Sequence, residues 1–201
     1  MSPSKSAMLV LKSSIMAESS QSSLLIDYAL RERLPETITV RDLTNPSLPL
    51  LDGAGAHALR GAEKLTDRQR QLLALSDTLI AELQAASCLV IAAPMYNFHV
   101  PVQLKTWIDL VCRAGVTFNY TPQGPQGLLQ GKKVVVISTR GGQHQEGDQD
   151  ALTVYMKSVL GFIGIKDVQF VYAQGLNVSE QQQQHSLQQA KLALDALMLC
   201  V

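Results

Sequence analysis

Three stretches of the 201-residue chain carry side chains suited to chemistry. Residues 13–23 read Ser13, Ser14, Ile15, Met16, Ala17, Glu18, Ser19, Ser20, Gln21, Ser22, Ser23. Hydroxyls and successive amides at the start of a helix form a neutral cradle for a phosphate, because the helix amino end carries partial positive charge. That suits a phosphate monoester held permanently by hydrogen bonds better than a triphosphate that is chelated and cleaved. An exposed serine linker explains the same residues equally well. The second stretch is Pro94, Met95, Tyr96, Asn97, Phe98, His99, Val100, Pro101. Its two aromatics and Met offer apolar surface to a planar ring, while the amides of Asn97 and Phe98 and the Asn side chain reach polar atoms on the ring edge. Core packing competes for Met95 and Phe98. The third stretch is Thr139, Arg140, Gly141, Gly142, whose adjacent glycines let backbone approach a ligand closely or simply make a turn.

The elements that position these stretches follow from periodicity. Short β-branched runs alternate with longer helical segments, the pattern of βαβ units and a parallel sheet covered on both faces. Strands are expected at 7–12, 38–40, 88–92, 134–137 and 168–172. A first helix shows Leu24, Leu25, Tyr28, Ala29 and Leu34 on one face and is closed by Pro35. Thr66 and Gln69 form a capping box ahead of a long helix to about residue 86, and Ser179 and Gln182 repeat the pattern ahead of the last helix. Further helices are expected at 101–112 and 151–160. Pro46, Pro49, Gly53 and Gly55 mark an excursion too irregular for a core element, and residues 115–131 read as a loop or hairpin added to the sheet, a candidate lid. Ligands of such a sheet bind outside the carboxyl ends of the strands, where all three chemical stretches fall.

Composition sets the class. With 46% hydrophobic and 17% charged residues, and 17 basic against 17 acidic side chains, the chain reads as one globular domain over residues 1–201. Zero net charge gives no field to gather nucleic acid or an anionic membrane. No apolar run approaches a membrane helix, and the start, Met1 to Ser6, lacks signal-peptide shape, so a cytoplasmic protein is expected. Cys88, Cys112 and Cys200 read as reduced thiols packed as small hydrophobes. His57, His99, His144 and His185 share no metal-ligand spacing with one another or with the cysteines, and no metal is expected. Neither a P-loop nor a Gly-x-Gly-x-x-Gly fingerprint follows the first strand, which disfavours a P-loop NTPase and a Rossmann-type dinucleotide site.

Several motifs in order then carry a resemblance over nearly the whole chain. They are Lys12-Ser13-Ser14 with Ser20-Gln21-Ser22; Ala93-Pro94-Met95-Tyr96-Asn97-Phe98; the run from Arg113 to Phe118 with Tyr120-Thr121 and Gly124-Pro125; Arg140-Gly141-Gly142; and Gly161-Phe162-Ile163-Gly164. Together these resemble the bacterial FMN-dependent NAD(P)H azoreductases, flavodoxin-like relatives of the NAD(P)H:quinone oxidoreductases. The resemblance implies a three-layer α/β/α sandwich on a five-stranded parallel sheet of order 2-1-3-4-5. It implies a homodimer with one non-covalent FMN per subunit, NADH or NADPH as donor, and quinones, azo compounds and nitroaromatics as acceptors.

By position, Ser14, Ser20, Gln21 and Ser22 would hold the ribityl phosphate. Pro94, Met95, Tyr96, Asn97 and Phe98 would line the isoalloxazine, and Thr139, Arg140, Gly141 and Gly142 would meet its pyrimidine end. Tyr120 and Phe162 would line the substrate cavity, facing the partner subunit's flavin. Asn97 and His144 are the candidates for a direct part in catalysis, and Arg140 would neutralise charge near the flavin or pair with a surface carboxylate. His99 stands where relatives commonly have Asn, and Thr139 where many have Ser. The flavin would carry the redox chemistry. The expected activity is ping-pong two-electron reduction of quinones to quinols and cleavage of azo bonds to amines over two cycles, with protection against electrophilic quinones as its use. The rivals are a flavodoxin-like FMN electron carrier, an NADPH-dependent FMN reductase in which flavin is substrate, and a non-flavin binding protein.

Overall fold

Residues 7–31, 37–145 and 147–198 are described by a computed structural model. In chain order the elements are β1 (Ala7–Lys12), α1 (Gln21–Leu30), β2 (Thr37–Asp42), α2 (Gly53–Leu59), α3 (Asp67–Ala85), β3 (Cys88–Ala92), α4 (Val102–Val111), β4 (Phe118–Thr121), β5 (Gly124–Gly127), β6 (Lys133–Thr139), α5 (Ala151–Phe162), β7 (Asp167–Ala173) and α6 (Glu180–Met198). Five strands pair in parallel in the order β2-β1-β3-β6-β7, which is 2-1-3-4-5 when sheet strands alone are counted. Leu9 lies opposite Leu89, Val90 opposite Val135 and Val136 opposite Phe170, so the three central strands share one register.

The alternation of side chains along a strand divides the core into two layers. Met8, Val10, Cys88, Val90 and Ala92 pack with Leu25, Ile26 and Ala29 of α1 and Ala190 and Leu194 of α6. Leu9, Leu11, Leu89 and Ile91 pack with Leu79, Ile80 and Leu83 of α3, Trp107 of α4 and Met156 of α5. Every residue of β3 is buried, as a strand covered on both faces requires. The outer strand β2 is largely exposed.

Most expected elements appear with their ends within two residues. Pro35 and Leu34, read as the close of the first helix, lie outside the described residues, as does Cys200. Cys88 is buried and Cys112 partly so, and both are free thiols. Burial first, then the charge of Asp109, pushes the Cys112 thiol up to about 12, which keeps it protonated and unreactive.

Two expectations need correction. The excursion after β2 contains α2, a two-turn helix capped by Asp52, whose Oδ1 accepts from Gly55 N at 2.7 Å. Gly55 is there for space: a Cβ would sit 2.6 Å from Cδ2 of Leu72 on α3. The β4–β5 hairpin is not a free lid. Phe118 at its start and Leu129 just beyond its end are buried, and Leu129 N donates to Ile163 O at 2.9 Å, which ties its base to the end of α5.

The capping box of α3 is complete: Thr66 Oγ1 accepts from Gln69 N at 3.3 Å, and Gln69 Oε1 accepts from Thr66 N at 2.9 Å. Thr66→Ala is expected to cost about 1 kcal/mol. Urea unfolding checks this as a lower midpoint at unchanged slope.

Candidate functional site

Just beyond the first strand lies Ser13, whose buried hydroxyl donates to Ala92 O at 2.6 Å and straps the loop to the end of β3. Ser14 Oγ lies 2.9 Å from Tyr96 Oη, so the first and second loops touch through a hydroxyl pair. A short 3-10 turn, Ala17–Ser19, delivers the chain to α1. Ser20 is its N-cap, with Oγ accepting from Ser23 N at 3.1 Å and 3.2 Å from Ser22 Oγ. Both hydroxyls are buried. The amides of Gln21 and Ser22 stand in the first helical turn, where no preceding carbonyl within the helix can accept them. Lys12, the nearest cation in sequence, is bonded to Asp27 at 2.6 Å, so the cradle is neutral, as the sequence suggests.

The second loop is a tight turn. Tyr96 N donates to His99 O at 2.9 Å and His99 N to Tyr96 O at 3.1 Å. Asn97 and Phe98 between them have φ of 50° and 69°. Two successive left-handed residues without glycine are costly, about 1 kcal/mol or more for each, and such strain collects at functional sites. Phe98 is 49% exposed despite its size, and its ring meets His144 edge-on at 5.5 Å. His99 turns the other way, its ring 4.6 Å from that of Tyr155. Tyr155 has its hydroxyl pushed up by burial and then by Asp109 and Cys112.

The third loop runs beside the second because Met95 N donates to Thr139 O at 2.9 Å. The carbonyls of Arg140, Gly141 and Gly142 accept from Leu176, Asn177 and Gly175. A Cβ on Gly141 would lie 2.6 Å from Asn177 Nδ2, and one on Gly142 2.6 Å from His144 Nε2, so both glycines make room for neighbouring side chains. Gln174 Oε1 accepts from the amides of His144 and Gln145, fixing the stretch that carries His144.

Arg140, counted above among the cofactor contacts, does something else. Its side chain is fully enclosed, with Nη2 donating to Asp150 Oδ1 at 2.8 Å and Thr153 Oγ1 at 2.9 Å, Nε to Ser138 Oγ at 3.1 Å, and the guanidinium over the Tyr172 ring. Its backbone N–H donates to Ala173 O and its carbonyl is taken. The carboxylate it pairs with is buried rather than on the surface. Burial pushes the Asp150 carboxyl up, but hydrogen bonds from Arg140 and Thr153 and the arginine charge outweigh this and hold it below its ordinary value. Arg140 therefore braces the loop and the start of α5 from behind.

Tyr120 and Phe162 are brought together, through Phe118, but not at this site. The Phe118 ring is 4.2 Å from Phe162 and 5.3 Å from Tyr120. Helix α5 starts near the third loop, and Phe162 closes its 12 residues, roughly 18 Å further down at 1.5 Å per residue. Tyr120, 76% exposed, sits on the hairpin packed there. Sequence reasoning missed Tyr96 as the partner of Ser14, the Asp150 counter-ion, and Phe118 as the centre of the aromatic group. Only the Asp150–Thr153 capping pattern gave any signal, Thr153 N donating to Asp150 Oδ1 at 3.2 Å.

A doubly wound sheet with polar loops gathered at the carboxyl ends of its strands is the architecture of a mononucleotide-binding α/β protein. A family model for the flavodoxin-like fold matches residues 6–198, and the chain belongs to that family. FMN-dependent NADH:quinone oxidoreductases of Shewanella denitrificans and Aeromonas salmonicida are 54% and 53% identical to it over 191 residues, covering 94% and 95% of this chain and 97% and 98% of theirs. A solved azoreductase from Bacillus anthracis matches with a TM-score of 0.87 at 26% identity, over 96% of this chain and 98% of that one. The FMN complex of an FMN-dependent NADH-azoreductase from the same species matches with a TM-score of 0.84 at 26% identity, over 96% and 99%.

Because the folded-state carboxyl of Asp150 lies below its ordinary value, its pairing stabilises the protein fully above the ordinary carboxylate range. That contribution drains away as acid carries the pH down through the depressed value. Arg140→Met takes the balancing positive charge away from a buried carboxylate and is expected to cost about 3 kcal/mol at neutral pH. The cost should shrink as pH falls, a trend that thermal unfolding across an acid series would reveal.

Proposed function

We propose that this chain binds one FMN at the three loops and uses it to pass electrons from NADH or NADPH to quinones, and to cleave aromatic azo compounds to amines. The observation that carries this reading is the convergence of buried Ser20 and Ser22 hydroxyls at the amino end of α1 with a turn strained at Asn97 and Phe98. The residues fit FMN on chemical grounds. A neutral cradle of hydroxyls and unpaired first-turn amides suits a phosphate monoester, and a buried hydroxyl pair gains from an anionic acceptor. The relatives, named for FMN, NADH, quinone and azo chemistry, support the same assignment.

In this reading Ser14, Ser20, Gln21 and Ser22 hold the ribityl phosphate. Pro94, Met95, Tyr96, Asn97 and Phe98 line the ring, and Thr139, Gly141 and Gly142 meet its pyrimidine edge. When bound, FMN would supply two-electron hydride chemistry, and nicotinamide donor and acceptor would occupy one flat site in turn. The left-handed turn at Asn97 and Phe98 would offer their amides and the Asn97 side chain to the ring edge. His144, fixed by Gln174 and by the Phe98 ring, is placed to orient the acceptor or hand it a proton.

Tyr120 and Phe162 lie a helix length from these loops, which supports a homodimer in which they complete the partner subunit's site. Nitroaromatics fit the same flat cavity. No helix among the described residues is long and apolar enough to cross a membrane, and a protective role in the cytoplasm against electrophilic quinones fits a two-electron reductase.

The test is anaerobic. The protein is saturated with FMN, freed of excess and given NADH or NADPH, and the flavin absorbance is followed before and after addition of benzoquinone. Bleaching followed by recovery is expected. Retained flavin that does not bleach points to an electron carrier, flavin released on reduction to an FMN reductase, and refusal of flavin to a different ligand. Replacing Ser20 and Ser22 together by alanine is expected to weaken FMN binding by about tenfold or more, from two lost hydrogen bonds to a charged group. Fluorescence titration measures it, and unchanged affinity would remove these residues from the cradle. Asn97→Ala is expected to shift the flavin potential and slow turnover while leaving FMN binding nearly intact, as redox titration and steady-state rates would record.

A further inference from the structure

The two glycines where the hairpin meets the end of α5 touch backbone to backbone. A Cβ built on Gly127 would lie 2.0 Å from Gly164 N and 2.3 Å from Ile163 C, and one on Gly164 2.8 Å from Gly127 C. The nearest atoms are all main chain, so no side chain can swing aside. The adjacent bonds Leu128 N to Thr117 O and Leu129 N to Ile163 O, both 2.9 Å, hold the contact closed. Directly above it Phe118, Tyr120 and Phe162 form their aromatic group, with Phe118 buried between the other two.

We infer that Gly127 and Gly164 are positioning residues for the acceptor: their close approach sets the spacing between the hairpin and α5, and with it the shape of the aromatic wall that Tyr120 and Phe162 present. The inference rests on the proposed reading of those two side chains as acceptor-binding. A methyl at Gly127 must lift the hairpin away from α5, parting Tyr120 from Phe162. The three flavin-binding loops stand at the opposite end of the strands and are untouched. A wall whose two halves are parted loses most where the acceptor is large enough to span both. The clamp therefore sets the preference for two-ring over one-ring quinones.

The experiment compares kcat/KM for a naphthoquinone and for benzoquinone, with FMN affinity measured alongside, in the FMN-loaded protein and its variants. In Gly127→Ala the naphthoquinone to benzoquinone ratio is expected to fall about tenfold, through KM more than kcat, with FMN affinity unchanged. Gly124→Ala strains the same hairpin at φ 112° but meets no atom within 4 Å, and it should leave the ratio alone. An unchanged ratio in Gly127→Ala, or an equal fall in Gly124→Ala, overturns the inference. Should Gly127→Ala not fold, Gly164→Ala decides by the same ratio, since its Cβ presses on the same contact from the other side with a smaller overlap, 2.8 Å to Gly127 C. If the parent protein neither keeps FMN nor reduces quinone, it is the proposed function that fails, and the ratio is never reached.

Discussion

The parallel ladder between β3 and β6 does not stop where the strands stop. Ala93 N donates to Ile137 O, Met95 N to Thr139 O, and Arg140 N to Ala173 O on the far side, so pairing runs on into the loops. This continuation is what the rest of the site depends on. It forces the turn at Asn97 and Phe98 to emerge beside Gly141 and Gly142. The bond from the Ser13 hydroxyl to Ala92 O draws the first loop to the same edge. Three loops that share no sequence neighbourhood become one surface because backbone donors and acceptors at buried strand ends must be paired.

Rigid placement of strained residues needs support from below, and the buried Arg140–Asp150 pair supplies it. The pair joins the third loop to the start of α5 and to β7 through Thr153 and Tyr172, whose hydroxyls lie 3.1 Å apart. Enclosing two charges has a desolvation cost that the attraction roughly offsets, so the gain is in specificity of arrangement rather than in net stability. The serine cradle is the opposite case. Its hydroxyls are buried but neutral and satisfied largely by one another, so a bound anion raises their hydrogen-bonding energy, and folding stability should rise with ligand concentration.

Much of this was readable in the chain because it is local or periodic. The five strands follow from apolar runs, the α3 boundary from Thr66 and Gln69, and the cradle from the serines ahead of a helical pattern. What could not be read depends on through-space partners. Arg140 sits beside two glycines in sequence, and nothing local says that its side chain turns inward to a carboxylate ten residues on. Helix α2 is poor in helix-forming residues at Gly53 and Gly55 and exists because Leu72 and Leu51 close on it, a tertiary override of propensity. The hairpin looked mobile because its turns are rich in glycine and proline. Yet one of those glycines, Gly127, is what allows the base to be clamped.

The separation of the loops from the aromatic group has its own logic. Helix α5 descends from the third loop to Phe162, so a single copy shows polar loops at one end and an aromatic group at the other. No internal motion short of unfolding α5 can bring the two together. In the proposed homodimer a two-fold axis would do so, since an isologous pair would set the lower end of each copy against the upper end of the other and make the contact twice. On that proposed arrangement the exposed Tyr120 ring would be covered by the partner, and two equal sites would form, each with its flavin from one chain and its wall from the other. On the proposed reading, acceptor specificity would then be encoded at the other end of the fold from the cradle, free to vary without disturbing it.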